Sequence, residues 1–321
     1  MTERYSGRLI PPRFQSSYQA LLASRALTDE GGTDFTLLYL DGDTVTACGS
    51  LRKNVIVQVA VAAEHEGEGW MASLVSELCN EAYRRGIFHL FLYTKPENGR
   101  LFGSLGFSVV AETESMLFLE SPKGGMDRFL SSLPQHDGNN GCVVCNCDPM
   151  TNGHLRLLQH AAAHCDHLYV FVLSDDGSFF PPTTRFSFVE AAMRPYPNVT
   201  VAFSEDYLVS RATFPTYFLK KDVGLRAADD LDLAIFTQRI APRLSIRTRF
   251  MGSEPFDAGT AAYNRRMQEL LPQYGISVSV TERTDGISAS RVRALLKEGS
   301  VAAAEPLLPP HVYEYCTRHF G

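Results

Sequence analysis

The chain has 321 residues, of which 45% are hydrophobic and 21% are charged, and its formal net charge is −6. This composition excludes a disordered protein, and the length favours two domains. The acidic balance gives no basic field that would attract nucleic acid. No apolar run approaches the roughly 18 residues of a membrane span, and the start lacks the apolar core of a signal peptide. We therefore expect a cytoplasmic protein without nucleic-acid or membrane partners.

The first part of the chain has the pattern of a mixed α/β domain. Strands are predicted at 36–40 and 44–51, on either side of an Asp-Gly-Asp hairpin signal. A further strand at 55–62 leads into a glycine-containing loop at 64–69. An amphipathic helix at 70–85 and a strand at 88–93 follow.

A boundary between domains is predicted within residues 121–140. Pro, Gly and Asn gather there on either side of a short apolar stretch. We therefore divide the chain into residues 1–124 and 125–321.

The second part alternates strands and helices. A strand at 142–147, a turn, a helix at 155–164 and a strand at 168–173 form a βαβ unit. The alternation predicts a Rossmann-like, doubly wound parallel sheet, whose ligands bind at the carboxyl ends of its strands. The further predicted elements are a helix at 186–193, a strand at 199–203, a helix at 257–271, a strand at 277–281 and a helix from 290.

Three of the seven cysteines form the pattern Cys142-x-x-Cys145-x-Cys147. This spacing allows zinc or redox chemistry, but no second Cys/His pair follows at the spacing of a zinc finger. The surrounding sequence is apolar, so we expect reduced, buried core residues within a strand.

The motif Thr151-Asn152-Gly153-His154 stands between a strand and a helix. A helix N-terminus offers unpaired N–H groups and a positive dipole to phosphate, and Gly153 would allow the backbone to approach it. His154 could then stabilise charge on the phosphate oxygens. A plain surface histidine is the alternative.

A second motif near the other end begins a helix with two hydroxyls, Ser288 and Ser290, and two guanidinium groups, Arg291 and Arg293. Hydroxyl, N–H and Arg donors together suit the phosphates of a nucleotide. An ordinary serine N-cap with solvated arginines is the alternative.

Together the two motifs resemble the HxGH and ISSTxxR signatures of the nucleotidyltransferase superfamily. Thr151 replaces the first histidine, as in phosphopantetheine adenylyltransferases, and leaves His154 as the motif's single histidine.

More of the chain resembles the citrate lyase ligases, which join an acetyltransferase-like domain to a nucleotidyltransferase domain. The resemblance implies that ATP and acetate give acetyl-AMP and pyrophosphate, and that the acetyl group passes to the prosthetic thiol of the lyase's acyl-carrier subunit. Mg²⁺ is expected with ATP, without assigned protein ligands. The resemblance covers residues 148–154, 180–185, 210–220, 252–256, 263–264 and 287–293.

The implied site follows from the same resemblance. His154 and Arg293 are the expected catalytic residues. Arg185, Arg211 and Lys220 are substrate candidates, although Arg185 could equally be an exposed arginine at a helix start, and the aromatic residues between Arg211 and Lys220 could hold a pantetheine-like arm or form core. The expected ATP- and phosphate-binding residues are Asn146, Asp148, Thr151, Gly153, His154, Ser288, Ser290 and Arg293.

The first domain resembles the GNAT acetyltransferases, in which a glycine-rich loop receives the pyrophosphate of acetyl-CoA at a helix N-terminus. Gly67 and Gly69 fit that loop, but Glu64, Glu66 and Glu68 should weaken CoA binding. An active acetyltransferase and a docking or vestigial domain remain open.

Two other functional classes also remain open. One is an adenylyltransferase that moves AMP onto a phosphorylated small molecule. The other is a protein whose second domain only binds nucleotide, with or without N-acetyltransferase activity in its first. His160, His164 and His167 could bind a metal, but surface histidines are the expected interpretation.

Overall fold

The computed structural model describes residues 3–174, 177–208, 217–218, 221–254, 257–282 and 287–321, with the backbone alone at 221–225. The chain forms two compact units: the first unit comprises residues 1–128 and 213–234, and the second unit residues 129–212 and 235–321. Both units are therefore discontinuous in sequence. The domain boundary after residue 124 stays a prediction.

A mixed seven-stranded sheet forms the centre of the first unit. The strand order is β1-β2-β3-β4-β5-β7-β6, and only β4 and β5 are parallel neighbours. The predicted hairpin and the predicted strands are confirmed. The predicted ones are β2 (Phe35–Asp41), β3 (Thr44–Arg52), β4 (Val55–Val61) and β5 (Leu90–Thr94). The sheet also contains β1 (Glu3–Gly7), β6 (Ser108–Glu112) and β7 (Leu117–Ser121).

Helices of the first unit bury one apolar face against each side of this sheet. The helix α1 (Pro12–Ser24) packs Phe14, Tyr18, Leu21 and Leu22 into one core cluster. The helix α2 (Trp70–Arg84) packs Leu74, Val75, Leu78 and Ala82 into the other, at the spacing of a single helical face. Two short helices follow, α3 (Gly99–Ser104) and α4 (Gly125–Ser132), and α4 crosses the division between the units.

The strands β4 and β5 pair over a short distance only. Val55 pairs with Phe91 and Ile56 with Leu92, and the register ends there. Beyond this point the strands line a cleft of about 590 Å³ within the first unit.

The second unit is built on a parallel sheet, as the sequence predicts. Its order is β10-β9-β8-β11-β12, and every neighbouring pair is parallel. The chain order reverses between β8 and β11, so the ligand crevice of such a fold lies at their carboxyl ends. The strands are β8 (Asn140–Cys145), β9 (Leu168–Val172), β10 (Val199–Phe203), β11 (Ile246–Gly252) and β12 (Ser277–Thr281).

The sequence pattern missed several regular elements, namely the strands β1, β6, β7 and β11 and the helices α1, α3, α4, α7, α8 and α11. Charged Arg247 and Arg249 interrupt the apolar pattern of β11, although Arg249 is only 5% exposed. The remaining helices are α5 (Asn152–Ala163), α6 (Pro182–Met193), α7 (Lys221–Ile235), α8 (Ala241–Arg243), α9 (Ala258–Leu270), α10 (Ala289–Lys297) and α11 (Pro310–Phe320). Within the described ranges, no helix has the length and apolarity to cross a membrane.

Two local predictions are wrong. The strand β8 ends at Cys145, and Cys147 lies beyond it with a positive φ of 51°. His167 is not a surface residue: it is 5% exposed, and its ring stacks on His136 at a centroid distance of 3.5 Å. It faces inward because it immediately precedes the buried strand β9, where its Nε2 lies 2.8 Å from Thr200 Oγ1.

Candidate active site

The turn from β8 to α5 holds a histidine in a defined orientation. Thr151 is the N-cap of α5, and the Thr151 backbone N–H donates to His154 Nδ1 at 3.0 Å. Since a backbone N–H can only donate, Nδ1 is the acceptor and the neutral ring carries its hydrogen on Nε2. The Thr151 hydroxyl also lies 2.9 Å from Nδ1 and is buried. Thr151 therefore fixes the orientation of the His154 ring through contacts to Nδ1.

The first backbone N–H groups of α5 have no acceptor within the helix. Thr151 Oγ1 accepts from the backbone N–H of His154 at 3.5 Å. This capping bond does not include the backbone N–H groups of Asn152 and Gly153. A Cβ added to Gly153 would meet Thr151 Oγ1 at 3.5 Å and Ile287 Cγ2 at 3.7 Å, which are ordinary contacts. The fold therefore does not require glycine at this position, and close approach of a ligand would explain it.

Asp148 is buried, and its carboxylate is fully engaged by the protein. Its Oδ2 accepts from the Phe179 N–H at 2.9 Å and its Oδ1 from the Phe180 N–H at 2.7 Å. Arg293 Nη1 lies 3.5 Å from Oδ2 and also donates to the Asp148 carbonyl oxygen. The carboxylate thus ties the loop before α6 to α10, and it orients an arginine.

Arg293 brings the second motif to the first. Its Nη2 donates to Ser290 Oγ at 3.2 Å, while Ser288 is the N-cap of α10 and accepts from the Arg291 N–H at 3.1 Å. Through the contacts between Arg293 and Asp148, the N-termini of α5 and α10 meet at the same edge of the sheet. The geometry thus brings the two motifs together, and their binding roles stay a prediction.

Arg185 is not the exposed helix-start arginine that the sequence allowed. It is 0% exposed, and its guanidinium contacts the backbone at the ends of two strands. Its Nη1 donates to the carbonyls of Asn146 at 3.0 Å and Leu173 at 2.8 Å, and its Nε to that of Phe180 at 3.1 Å. Arg185 braces the ends of β8 and β9, and its substrate role stays a prediction.

Asn146 stands at the same edge and is exposed. Its side-chain oxygen accepts from Arg185 Nη1 at 2.5 Å, and its amide nitrogen donates to Ser178 Oγ at 3.1 Å. Arg211 and Lys220 lie outside the described residues. Of the aromatic residues between them, Tyr217 and Phe218 are described, and both are buried in the first unit.

Sequence reasoning missed the aromatic support behind Asp148. The ring of Phe320 on α11 lies 5.6 Å from that of Phe179 and 5.8 Å from that of Phe180, between centroids. The backbone N–H groups of this Phe pair hold the Asp148 carboxylate. The adjacent Phe-Phe-Pro-Pro sequence is the one signal that a rigid loop begins there.

In the first unit, the glycine loop before α2 has a different arrangement. Gly67 and Gly69 have φ values of 84° and 81°, and Gly69 caps α2 without a side-chain hydrogen bond. Glu66 pairs with Arg25 at 2.6 Å. Glu68 accepts from Trp70 Nε1 at 2.8 Å, and this bond lowers the pKa of the carboxyl. Two of the predicted carboxylates are thus held by neighbouring side chains.

In the described part of the chain, no group of three or more His, Cys, Asp or Glu residues is arranged to hold a metal. The carboxylate nearest the two motifs, Asp148, already accepts two N–H bonds and faces Arg293.

Comparisons with known proteins cover both units. The family model for the citrate lyase ligase C-terminal domain matches residues 140–316. The citrate (pro-3S)-lyase ligase of Escherichia coli (strain K12) is 39% identical over 85% of this chain and 82% of its own length. A phosphopantetheine adenylyltransferase of Streptococcus agalactiae serotype Ia is 31% identical over 51% of this chain and 87% of its own.

Among solved structures, a crystal structure of Escherichia coli ElaA aligns with 37% of this chain and 99% of its own, at 18% identity and a TM-score of 0.34. The family match spans more than half of the chain. It includes β8, the motifs at the starts of α5 and α10, and most of α11. On this match, and on the identity to the Escherichia coli ligase, the chain belongs to the citrate lyase ligase family.

Proposed function

We propose that the protein activates acetate with ATP, as acetyl-AMP, and transfers the acetyl group to the prosthetic thiol of the acyl-carrier subunit of citrate lyase. Its relatives are named as ligases of citrate lyase. A lyase so acetylated would be the active form. The reaction consumes ATP, and we expect it in the cytoplasm.

The first step is an in-line displacement at the α-phosphorus. An acetate oxygen bonds to phosphorus, the bond to the bridging oxygen of the β-phosphate breaks, and pyrophosphate leaves. Both reactants are anions, so the site must align them and neutralise the charge that builds on the leaving group. His154 Nε2–H, the Arg293 guanidinium and the N–H groups of Asn152 and Gly153 are the donors that we assign to this task.

The second step forms a thioester. The thiolate of the carrier attacks the acyl carbon, AMP leaves with the electron pair of the acyl–phosphate bond, and the thiol proton passes to solvent. An acyl-adenylate is already activated, so this step requires mainly proximity and a thiolate. Bound Mg²⁺ would supply charge neutralisation for the phosphates.

The observation that carries the proposal is the union of the two motifs through Asp148 and Arg293. It places one histidine of fixed tautomer and one oriented arginine at the switch point of a parallel sheet. This arrangement suits nucleotidyl transfer. Membership of the citrate lyase ligase family supports citrate lyase as the target.

The test is ATP–pyrophosphate exchange by the purified chain with Mg²⁺, in the presence and absence of acetate. We expect exchange that depends on acetate, because the reverse reaction requires acetyl-AMP. Incubation with the citrate lyase acyl-carrier subunit should then yield an acetyl thioester that hydroxylamine removes.

A second candidate is favoured by the likeness to phosphopantetheine adenylyltransferases over half of the chain. In that function, AMP would be transferred to a phosphorylated acceptor. Exchange that ignores acetate but requires 4′-phosphopantetheine would support it and exclude the ligase proposal.

A further inference from the structure

Two cysteines stand at the carboxyl end of β8, beside the candidate site, and no step of the proposed reaction uses them. Cys145 is the last residue of the strand, and Cys147 packs into the core cluster that Cys145 also contacts. Cys142 lies three residues before Cys145 and therefore on the other face of the strand. Its thiol accepts from Arg249 Nη1 at 3.3 Å instead. Of the three cysteines in the pattern, Cys145 and Cys147 thus form a pair.

The two thiols of this pair contact one another. A hydrogen bond to Cys145, together with burial, raises the pKa of the Cys147 thiol well above its ordinary value. Cys147 is 1% exposed, whereas Cys145 is half-buried, and both cysteines are free. Cys147 therefore stays protonated inside the protein, and Cys145 is the member of the pair that a reagent from solvent meets first.

The backbone around the two thiols belongs to the framework of the candidate site. The carbonyl oxygen of Asn146, the residue between them, accepts from Arg185 Nη1 at 3.0 Å. Asp148 follows Cys147 directly, and its Oδ2 lies 3.5 Å from Arg293 Nη1. A displacement of Cys147 is therefore passed on to the carboxylate that orients Arg293.

A bond between the two sulfurs would produce such a displacement. The sulfurs of a disulfide lie about 2.05 Å apart, which is well inside the separation of two hydrogen-bonded thiols. Closing the bond therefore pulls Cys147 toward Cys145 and bends the chain at Asn146. Cys145 is fixed by its pairing with Val172 on β9, so the movement falls on the residues from Asn146 to Asp148.

We propose that Cys145 and Cys147 are a redox site, in which a low-molecular-weight disulfide closes a reversible Cys145–Cys147 bond and thereby breaks the contact between Asp148 and Arg293. The Cys145 thiolate attacks one sulfur of the oxidant, whose S–S bond breaks and releases one thiol. The Cys147 sulfur then attacks the Cys145 sulfur, and the second thiol leaves with the Cys147 proton. The pair loses two electrons and two protons in total, and the oxidant is reduced to two thiols.

The first test is incubation of the purified full chain with oxidised glutathione, followed by denaturation, alkylation with N-ethylmaleimide and peptide mass mapping. The tryptic peptide 129–156 contains Cys142 as well as the pair. After oxidation we expect this peptide to carry one alkyl group, on Cys142, and a bond between Cys145 and Cys147. Dithiothreitol should restore all three alkylation sites.

The second test follows the consequence for Asp148 without reference to activity. The backbone N–H groups of Phe179 and Phe180 donate to the Asp148 carboxylate. In the oxidised chain their hydrogen–deuterium exchange should be at least about tenfold faster, because their acceptor has moved. Acetate-dependent ATP–pyrophosphate exchange should fall at least about tenfold and recover with dithiothreitol, an expectation that rests on the proposed function.

Cys145→Ser is the decisive variant, because it cannot form the bond and a hydroxyl is accommodated at a half-buried position. Oxidised glutathione should change neither its hydrogen–deuterium exchange nor its activity. Cys147→Ala removes the other thiol and should behave in the same way. Cys165→Ser is the matched control: it removes another half-buried free thiol of the second unit and should stay as sensitive as the parent protein.

The proposal is overturned if the parent protein forms no bond between Cys145 and Cys147, or if the bond forms without faster hydrogen–deuterium exchange at Phe179 and Phe180. It is also overturned if Cys145→Ser responds to oxidised glutathione as strongly as the parent. A reduced parent without acetate-dependent exchange would instead remove the proposed ligase function. Mass mapping and hydrogen–deuterium exchange would still show whether the bond forms and displaces Asp148.

Discussion

The two units contain the same local arrangement, a strand followed by a loop and a helix, with different contents. Between β8 and α5, a threonine and a histidine form a reciprocal cap, and an arginine from α10 reaches the loop. Between β4 and α2, Gly69 caps the helix without a side chain, and Tyr217 fills the edge beyond the strand.

From this difference we predict that a strand, a glycine loop and a helix do not define a phosphate site on their own. What distinguishes the second unit is a set of donors fixed by the protein before any ligand arrives. In the first unit, the neighbouring carboxylates Glu66 and Glu68 are held by Arg25, His65 and Trp70. Substitutions in the second unit, with matched controls, test this contrast.

The largest effect is expected at the cap of α5. His154→Ala should lower acetate-dependent exchange by roughly 10² to 10³, because it removes a donor to the transition state. It should also lower the free energy of unfolding by about 1 kcal/mol, because the Thr151 N–H loses its acceptor. Exchange kinetics and urea unfolding measure the two effects separately.

His154→Gln is the matched control for this prediction. Glutamine at this position forms a normal capping box, so it should restore the stability. It lacks the imidazole, so exchange should stay at least about tenfold below the parent rate. If glutamine restored both properties fully, His154 would be a capping residue alone.

The second effect concerns the link between the two motifs. Arg293→Ala should lower exchange about 10- to 100-fold and cost roughly 1 to 3 kcal/mol of stability, because the buried Asp148 carboxylate loses its cationic neighbour. Arg291→Ala on the same helical turn is the control, and it should change neither quantity appreciably. Equal losses in the two variants would show that α10 needs only its general positive charge.

The third effect is a pH dependence of stability that arises from His167 in the second unit. Burial and the neighbouring His136 lower the pKa of His167 to about 4, from an ordinary value of 6.5. Between these values the unfolded chain binds a proton that the folded chain does not, so stability is complete above about pH 6.5 and falls toward pH 4. At about 1.4 kcal/mol per pKa unit, the loss is on the order of 2 kcal/mol after allowance for solvent.

The measurement is the free energy of unfolding between pH 4 and 7, for the parent and for His167→Gln. The variant should show a shallower decline over this range, since it keeps a polar partner for Thr200 without the titrating ring. Identical slopes would mean that other groups cause the acid sensitivity.

The smallest effect concerns a single methyl group. Gly153→Ala should leave stability unchanged or raise it by up to about 0.5 kcal/mol, since the space is available and alanine favours helix. The KM for ATP should nevertheless rise about tenfold, because the methyl group would occupy the path of a phosphate. An unchanged KM would show that no ligand approaches this backbone.

Gly103→Ala in α3 is the counterpart in the first unit. A Cβ at Gly103 would meet nothing within 4 Å, so alanine fits there too and the stability gain should be similar. The KM for ATP should not change there.

Much of the fold was predictable because its signals are local. The period of α2 and the apolar runs of β8 and β9 lie within a few residues of one another, and the structure places these elements within a few residues of the predicted bounds. The strand β11 was missed because its central Arg249 is buried by distant partners, the ring of Phe236 and the thiol of Cys142. No local pattern encodes such compensation.

The same limit applies to the candidate site. The motif residues stand out in the sequence, but the contacts that each of them makes depend on packing. Thr151 holds His154, which the motif alone did not indicate, and Arg185, for which the sequence left a substrate role and an exposed position open, is fully buried at the strand ends. These roles depend on which neighbour the fold brings closest.

The candidate site draws together residues that are far apart in the chain. Asp148 and Arg293 are separated by 145 residues, and Asn140 on β8 pairs with Ile246 on β11. A nascent chain that ends after β10 can close the local βαβ layers, but it lacks β11 and the second motif. Long loops must close before such contacts form, so this edge should assemble late in folding. Nucleotide affinity would then report completion of the whole second unit during refolding.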